Sequence, residues 1–372
     1  MAVFAGPTGG HLFPAQSFSE GFRARFPGAA IELVTSHRAK DLVAKVPPGI
    51  FDRVHFFPDF GFPVRFSLES LKPFVLAPYL FLKSFLYLKK TCPDICVGFA
   101  SFVSYPGMIT ARWLGIPTLI HEQNFVPGKA TQWLAPYMDV VAESFPGTKF
   151  SSAVKNVRTV GLPLRSGLLD GGVKRDARAA TRPFTILVVG GSQGAQGLNT
   201  AVVDALGQLS REERAQIAVI HITGKRDQAR VAGQYAQWGF SHEVHVFHNA
   251  MHELFNKADL AITRAGANTL FELAFFGVPA LVVPYPHAGG HQKYNAQCFA
   301  AKGGLLYHDE DPEAAGWLRD HLKKFIKAPE QLSTIAGAMA ALARPRATEE
   351  LVGLAQGLIK DHEGHRSGSN PG

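Results

Sequence analysis

The side chains best suited to chemistry are concentrated in residues 261–296. A short apolar run and a turn of small residues lead into a segment with helical spacing that carries Glu272. A second apolar run, 278–283, is followed by a polar turn with two glycines that leads to Gln292. A carboxylate suits the diol of a ribose, whereas amide donors and helix N-termini suit a diphosphate. The pattern therefore favours a nucleotide diphosphate as the ligand.

A parallel sheet would bring these residues together. In an open parallel sheet, turns at the carboxyl ends of the strands share one edge, and the helices that follow aim their N-termini at the same crevice. Helical stretches separate most of the strand-like runs, so we predict a mostly parallel α/β fold. The predicted strands are 2–5, 30–34, 54–57, 95–99, 117–121, 140–142, 184–190, 217–222, 244–247, 260–263 and 280–284.

Two glycine-rich turns follow the first strand-like run of each half of the chain. Residues 6–11, GPTGGH, open a helix to about Arg25, and residues 190–195, GGSQGA, precede a helix over 196–209. Glycines in such turns let backbone amides approach a phosphate closely. His11 lies at the start of the first helix, where it is either a base that faces the crevice or a polar capping residue.

A polar run, His121, Glu122, Gln123 and Asn124, follows another strand-like segment. Four consecutive polar side chains at the end of a predicted strand are rarely needed for packing. We therefore expect this turn to have a role in binding.

The segment 72–90, KPFVLAPYLFLKSFLYLKK, is apolar on nearly all sides. Pro78 fits the first turn of a helix, on which Lys83, Tyr87 and Lys90 would share one stripe. Two interpretations stay open: a helix that dips into lipid beside cationic residues, or a helix buried on both sides. The first interpretation assigns the membrane surface to Lys72, Phe81, Lys83, Phe85 and Lys90.

Composition limits the class of protein. The 372 residues favour two domains, and the formal net charge is +8, of which the first 165 residues carry +7. The N-terminal half is thus expected to meet an anionic surface or substrate. Nucleic acid is not an expected partner, because the basic residues are dispersed and no binding motif accompanies them. We expect neither a signal peptide nor a transmembrane helix.

No metal site is expected from the sequence. The three cysteines, Cys92, Cys96 and Cys298, are an odd, sparse set that indicates a reducing compartment. Residues 309–311, Asp-Glu-Asp, have the spacing of a DxD motif, but they precede Pro312 and are more typical of a loop and helix start.

Six short motifs, in order over about residues 1–300, resemble those of the MurG-type N-acetylglucosaminyltransferases: GPTGGH, HEQN, GLPLR, GGSQGA, RAGANTLFE and HQKYNA. The resemblance implies the GT-B fold, in which two Rossmann-like α/β domains with mostly parallel sheets face a central cleft. It also implies an inverting hexosyltransferase that moves N-acetylglucosamine from UDP-N-acetylglucosamine to lipid I. The product, lipid II, serves peptidoglycan synthesis and, through it, cell shape and division.

The resemblance also implies a domain plan and residue roles. Residues 1–162 would form the acceptor- and membrane-side domain and 163–345 the UDP-sugar-binding domain, with a returning helix at 346–361 and a disordered tail at 362–372. His11 is the candidate base that removes the acceptor hydroxyl proton. The donor would be bound by Thr8, Gly9, Gly10, Asn124, Arg165, Ser192, His248, Ala267, Asn268, Thr269, Leu270, Phe271, Glu272 and Gln292.

Three places depart from the family pattern. Pro7 and the pair Ala100-Ser101 stand where the family usually has glycines, and Leu162 stands where it usually has Asn. All three lie in or next to the acceptor-side domain. The donor chemistry is therefore better defined than the acceptor.

Three alternatives stay open: a related GT-B transferase with another lipid-linked acceptor, a UDP-N-acetylglucosamine 2-epimerase, and a non-catalytic paralogue that binds UDP-sugar. An epimerase needs further acid/base residues around the sugar and no membrane surface. For the leading hypothesis no cofactor is required, and stimulation by a divalent cation is left open. The expected partners are UDP-N-acetylglucosamine, lipid I and the cytoplasmic membrane surface, with the chain peripheral on the cytoplasmic side of the inner membrane.

Overall fold

The computed structural model describes residues 1–59, 72–173, 182–190 and 194–368, with the side chains of 72–75, 288 and 365–368 outside the description. The chain divides into two compact units. Unit 1 is Met1–Ser166 with Pro345–Gly372, and unit 2 is Gly167–Arg344.

The described part of unit 1 contains a parallel sheet with helices on both faces. Its strands are β1 (Ala2–Ala5), β2 (Glu32–Ser36), β3 (Arg53–Phe57), β4 (Cys96–Phe99), β5 (Thr118–Glu122), β6 (Val140–Glu143) and β7 (Val157–Thr159). They lie in the order β3-β2-β1-β4-β5-β6-β7. The helices up to the unit boundary are α1 (Gly9–Arg25), α2 (Lys40–Val43), α3 (Lys72–Thr91), α4 (Ser104–Trp113), α5 (Lys129–Leu134) and α6 (Ser166–Leu169).

Unit 2 repeats this architecture within its described residues. Its strands are β8 (Phe184–Val189), β9 (Ile217–Ile222), β10 (Ser241–His245), β11 (Leu260–Thr263), β12 (Ala280–Val282) and β13 (Leu305–Tyr307), in the order β10-β9-β8-β11-β12-β13. Its helices are α7 (Gln196–Gly207), α8 (Arg211–Arg214), α9 (Gln228–Trp238), α10 (Met251–Lys257), α11 (Ala267–Phe276), α12 (His291–Ala300), α13 (Ala314–Lys327) and α14 (Leu332–Ala341). The last helix, α15 (Ala347–Gly368), belongs to unit 1.

The central strands of each sheet are buried because both of its faces are covered there, whereas the edge strands β3, β7 and β10 are partly exposed. Successive side chains of β1 alternate between two cores: Val3 packs with residues of α1 and α15, and Phe4 packs with residues of α3 and α4. In unit 2, Phe184 and Ile186 of β8 lie in a core with α7 and α13. The strand sequences are thus continuous apolar runs, as expected for parallel strands buried on both sides.

Each sheet has a point where the strand order reverses direction, and such a point is where open α/β sheets bind ligands. In unit 1 it lies between β1 and β4, so the turns after Ala5 and Phe99 are neighbours. In unit 2 it lies between β8 and β11, so the turns after Val189 and Thr263 are neighbours. These turns and the helices α1 and α11 that follow two of them contain most of the predicted catalytic and donor-binding residues.

The two parallel sheets confirm the predicted α/β class, and three local predictions need correction. The strands β7 and β13 were not predicted, since three residues are too few to show a period. Pro78 is inside α3 and not in its first turn, because that helix begins at Lys72. The predicted tail from His362 is helical as far as Gly368, because α15 extends to that residue. Residues 369–372 lie outside the described residues.

Candidate functional site

The turn between β1 and α1 holds the imidazole of His11. Thr8 is the N-cap residue of α1, and its carbonyl oxygen accepts from the amides of His11 (3.0 Å) and Leu12 (2.9 Å). Its hydroxyl oxygen lies 3.1 Å from Nδ1 of His11. No other hydrogen bond of the His11 ring is found among the described residues, so Nε2 is the nitrogen left to meet a ligand.

Desolvation favours the neutral form of His11, whose side chain is partly exposed. It lowers the pKa of the imidazole to about 4, because the charged form loses its hydration. The ring is therefore neutral at pH 7 and has a lone pair that can accept a proton. The first turn of α1 contains no acidic side chain that would raise the pKa of His11 again.

The turn after β4 touches the same place. A Cβ atom built on Gly6 would lie 2.5 Å from Nδ1 of His11 and 2.7 Å from Cβ of Ser101, so glycine is needed for this close approach. The hydroxyl of Ser104 donates to the carbonyl oxygens of Ala100 (2.8 Å) and Phe4 (3.3 Å), which ties this turn to β1. The turns after β1 and β4 thus form one packed unit around His11.

Two residues of the β4 turn have a left-handed backbone. The φ angle is +45° at Ala100 and +87° at Ser101, in the region that favours glycine. These are two positions where the family usually has glycine. The backbone thus keeps a glycine-type conformation with side chains present.

The polar run at the end of β5 is mostly buried and hydrogen-bonded within the protein, and the binding role predicted for this turn stays a prediction. His121 is fully buried, its Nε2 lies 2.9 Å from the carbonyl oxygen of Gly161, and burial lowers its pKa to about 4. Glu122 is also fully buried and accepts from the amides of Asn124 (2.9 Å) and Gly128 (3.3 Å); burial raises its pKa. Of the four, only Asn124 is partly exposed.

Arg165 lies against the first helix of unit 1. Its guanidinium carbon is 4.7 Å from the ring centroid of Phe13 on α1. Gly9 is buried, whereas Gly10 is exposed, with only the Thr8 hydroxyl near the place of a Cβ atom. The structure thus brings Thr8, Gly9, Gly10 and Arg165 to the helix that carries His11, while Asn124 lies two strands away at the end of β5.

Gln292 connects two turns at the switch point of unit 2. Its Oε1 accepts from the amide of Ala265 (3.1 Å), after β11, and from the amide of Tyr285 (3.0 Å), after β12. Asn295, one turn further along α12, donates to the carbonyl oxygen of Ala265 (3.2 Å). The acceptor side of the Gln292 amide is therefore occupied by the protein, and its Nε2 amino group is the donor that remains.

Helix α11 presents one polar face. Asn268, Thr269 and Glu272 are partly exposed and follow helical spacing, whereas Leu270 and Phe271 are buried. The Leu270 amide donates to the carbonyl oxygen of Gly266. The side chains of Leu270 and Phe271 pack in the core, and the prediction that the segment from Ala267 binds the donor stays a prediction.

The glycine turn after β8 is only partly within the described residues. Ser192 lies outside them. Gly194 has φ +78°, and a Cβ atom there would be 2.9 Å from the carbonyl oxygen of Thr223, so the turn requires glycine. His248 lies three residues after β10 and not next to the predicted strand end; its Nδ1 is buried without a hydrogen bond among the described residues, and its ring lies 5.4 Å from that of His245.

The Asp-Glu-Asp run has three separate partners. Asp309 pairs with Lys293 (2.6 Å), Glu310 pairs with Arg264 (2.7 Å), and Asp311 accepts from the amide of Glu313 (2.9 Å). Within the ranges that the structure covers, no group of three or more His, Cys, Asp or Glu side chains is placed to hold a metal ion. The run acts as a loop and helix start, with each carboxylate directed to a different element.

The exposed face of α3 is apolar. Tyr79, Leu82, Phe85 and Leu86 are 41–59% exposed, and Trp113 on α4, at 72% exposed, stacks on Phe81 with ring centroids 5.5 Å apart. We call Tyr79, Leu82, Phe85, Leu86 and Trp113 the apolar patch. No helix within the described part of the chain is long and apolar enough to cross a membrane.

Two of the residues predicted for the membrane surface are partly covered by contacts within the protein, and their membrane role stays a prediction. Lys83 faces inward: its Nζ lies 4.2 Å from the ring centroid of Phe57 and donates to the carbonyl oxygen of Phe56, and burial lowers its pKa. Phe81 is only partly exposed, since Trp113 covers it. Phe85 and Lys90 are exposed, and the side chain of Lys72 lies outside the description.

Comparisons with known proteins identify the family. Residues 1–143 match the glycosyltransferase family 28 N-terminal domain, and residues 185–351 match the glycosyltransferase family 28 C-terminal domain. A relative from Pseudomonas syringae pv. tomato, a UDP-N-acetylglucosamine--N-acetylmuramyl-(pentapeptide) pyrophosphoryl-undecaprenol N-acetylglucosamine transferase, is 36% identical over 95% of this chain and 97% of its own. The chain belongs to glycosyltransferase family 28.

Further comparisons place the chain with the MurG-type members of this family. A protein of the same name from Anaeromyxobacter sp. is 32% identical over 99% of this chain and 96% of its own. The crystal structure of Acinetobacter baumannii MurG superposes with a TM-score of 0.76 at 28% identity, covering 96% of this chain and 98% of that one. The predicted resemblance, the two-domain GT-B class and the glycosyltransferase activity are thereby confirmed.

Sequence reasoning missed several contacts and exposed residues that the structure shows. Arg264 and Glu310 are 46 residues apart in the chain, and nothing local indicates their contact. The exposed positions Tyr79, Leu82 and Leu86 have the spacing of one helix face, so a helical periodicity count over α3 would have found them. Trp113 could not be found this way, because it reaches the patch only through the packing of α4 on α3.

Proposed function

We propose that the chain transfers N-acetylglucosamine from UDP-N-acetylglucosamine to lipid I, which forms lipid II. The names of the relatives support this acceptor. The observation that carries the proposal is the arrangement at the switch point of unit 2, where the exposed face of α11 with Glu272 lies beside the turn that Gln292 holds in place. A carboxylate one turn above a helix N-terminus suits a nucleoside diphosphate, with the ribose on Glu272 and the phosphates at the helix ends.

The reaction proceeds by inversion. The neutral imidazole of His11 accepts the proton of the acceptor hydroxyl at Nε2, while Nδ1 donates to the Thr8 hydroxyl. The acceptor oxygen forms the new bond to the anomeric carbon as the bond to the UDP oxygen breaks. The negative charge on the departing UDP is stabilised by the N-termini of α7 and α11 and by the Gln292 amino group. Because these groups meet the charge, the proposal includes no required metal or other cofactor.

The proposal places the chain on the cytoplasmic face of the membrane as a peripheral protein. The apolar patch offers side chains that can enter the interface, and the exposed Lys89, Lys90 and Arg112 on the same two helices can meet anionic lipid. A lipid-linked acceptor is presented at that surface, which agrees with the net charge of +7 in the first 165 residues.

Equilibrium binding of UDP tests the donor half of this proposal. We expect Glu272→Ala to weaken UDP binding by about tenfold or more, because a charged hydrogen-bond acceptor for the ribose is lost. The matched control is Glu253→Ala, which removes an exposed carboxylate from α10 of the same unit and is expected to leave binding unchanged. Equal effects of the two substitutions would contradict the assignment of Glu272.

A further inference from the structure

Glu310 connects two elements that are far apart in the chain. Its Oε1 lies 2.7 Å from Nη2 of Arg264, in an ion pair whose side chains are 23% and 7% exposed respectively. Partly buried, charge-assisted hydrogen bonds of this kind are among the stronger ones in proteins. The pair therefore holds the loop after β13 against the end of β11.

The same carboxylate lies against the first turn of α7. A Cβ atom built on Gly197, the second residue of that helix, would overlap Oε1 of Glu310 and approach Nη2 of Arg264 to 3.3 Å. The missing side chain of Gly197 thus forms a notch that the Glu310 carboxylate fills. A negative charge is also favoured at a helix N-terminus.

Arg264 extends this connection to a third element. Its Nη1 donates to the carbonyl oxygens of Val283 (2.9 Å) and Pro284 (3.4 Å), at the end of β12. The Glu310 carboxylate therefore packs against the start of α7 and is hydrogen-bonded to Arg264, which in turn connects the turn after β11 with the end of β12. The start of α7 and the turn that leads into α11 are places where the proposed function puts the diphosphate, and the turn after β12 contacts Gln292 through the amide of Tyr285.

We infer that Glu310 is a positioning residue: it latches the N-terminal turn of α7 in place for the diphosphate of the donor. The inference rests on the proposed function for the ligand, but the latch itself is a contact within unit 2. Loss of the latch frees the first turn of α7. Binding of the diphosphate then has to order that turn, so affinity falls while the chemistry, which depends on His11, is largely kept.

A double-mutant cycle between Gly197 and Glu310 tests the latch, with UDP affinity and donor KM and kcat as readouts. Glu310→Ala is expected to raise the Kd for UDP and the donor KM about tenfold, with kcat within about threefold. Glu310→Gln keeps an oxygen that accepts from Arg264 and is expected to restore most of the affinity. Gly197→Ala improves helix propensity but displaces the carboxylate, so it is expected to weaken UDP binding without lowering the melting temperature.

The decisive result of the cycle is the coupling free energy between positions 197 and 310 in UDP binding. In the Glu310→Ala background the notch is empty, so Gly197→Ala is expected to have no further effect on UDP affinity. Asp309→Ala, which removes the neighbouring carboxylate and its exposed pair with Lys293, is the control and is expected to bind UDP as the unaltered chain does. The inference would be overturned if Gly197→Ala and Glu310→Ala changed the Kd for UDP by independent factors that multiply in the double variant. Unchanged UDP affinity in Glu310→Ala would also overturn it.

Hydrogen exchange without ligand separates the latch from the proposed function. Amides at the start of α7 are expected to exchange at least tenfold faster in Glu310→Ala than in the unaltered chain, and no faster in Asp309→Ala. Unchanged exchange in Glu310→Ala would overturn the latch even if UDP binds. Faster exchange in a chain that does not bind UDP would keep the latch and refute the proposed ligand.

Discussion

Nδ1 of His11 lies 3.1 Å from the hydroxyl oxygen of Thr8, within the first turn of α1. For His11 to act as a base, Nδ1 must carry the proton and donate to Thr8, which leaves the lone pair on Nε2 for the acceptor hydroxyl. The contact therefore occupies Nδ1 and leaves Nε2 as the nitrogen that can meet the acceptor hydroxyl. It also explains why a histidine at a helix N-terminus can be more than a capping residue.

The pH dependence of turnover is expected to reflect the burial of His11. Its pKa of about 4 lies below the ordinary value of about 6.5, so the base form persists well below neutral pH. We predict that kcat stays level as the pH falls from 8 to about 5 and drops only near pH 4, measured in short assays with recovery at pH 7.5 to exclude unfolding. An acid limb between pH 6 and 7 would show that the imidazole is exposed when the enzyme works.

Glycine at position 101 is expected to stabilise the protein. Ser101 has φ +87°, and a left-handed conformation costs a residue with a side chain about 1–2 kcal/mol. Glycine avoids this cost, although the greater conformational entropy of glycine in the unfolded chain offsets part of the gain in stability. We predict that Ser101→Gly raises the free energy of unfolding by about 0.5–1 kcal/mol in urea titrations. Ala236→Gly, at an exposed position within α9, is the control and is expected to lower it by about 1 kcal/mol. A loss of stability in Ser101→Gly would refute the strain.

Two substitutions separate the structural and ligand-binding parts of Gln292. A glutamate keeps an oxygen for the amides of Ala265 and Tyr285, but it loses the amino donor and adds a negative charge next to the diphosphate. We predict that Gln292→Glu keeps the melting temperature and raises the donor KM about tenfold or more. Gln292→Leu leaves two amides unpaired and is expected also to lower stability by about 1–3 kcal/mol. Equal donor KM values for Gln292→Glu and the unaltered chain would show that the amino group does not meet the donor.

Membrane binding is expected to depend on the apolar patch. We predict that the double variant Leu82→Gln, Leu86→Gln binds vesicles rich in anionic lipid about tenfold more weakly or worse in sedimentation assays. The reason is that two leucine side chains are no longer transferred from water into the membrane interface. Turnover with a soluble short-chain acceptor should be unchanged. Val246→Gln, which alters an exposed valine of unit 2, is the control. Vesicle binding that survives the double substitution would place the membrane surface elsewhere.

Much of the fold could be predicted from the sequence, because parallel strands buried on both faces are continuous apolar runs with clear ends. β1, β9 and β11 have the predicted bounds, whereas the three residues of β13 are too short a signal. The predicted boundaries were less accurate where burial does not change, as at β10, which begins three residues before its predicted start.

The candidate site was predicted by residue type more accurately than by orientation. Glu272 and Gln292 lie at the switch point as expected, since a turn after a parallel strand has only one edge of the sheet to occupy. The orientation of single side chains depends on packing between distant segments. Lys83 turns inward to Phe57, and Glu310 fills a notch in α7, and neither contact has a local pattern in the sequence.

The most direct test of the account is transfer of radiolabelled N-acetylglucosamine from UDP-N-acetylglucosamine to a short-chain lipid I analogue. The unaltered chain is predicted to form the disaccharide product and to release UDP in equal amounts. Under the same conditions His11→Ala should bind UDP normally and lose about 10²-fold or more in kcat, while Glu272→Ala should raise the donor KM. UDP binding by the unaltered chain without transfer to this acceptor, or conversion of the donor to its 2-epimer, would contradict the proposed function.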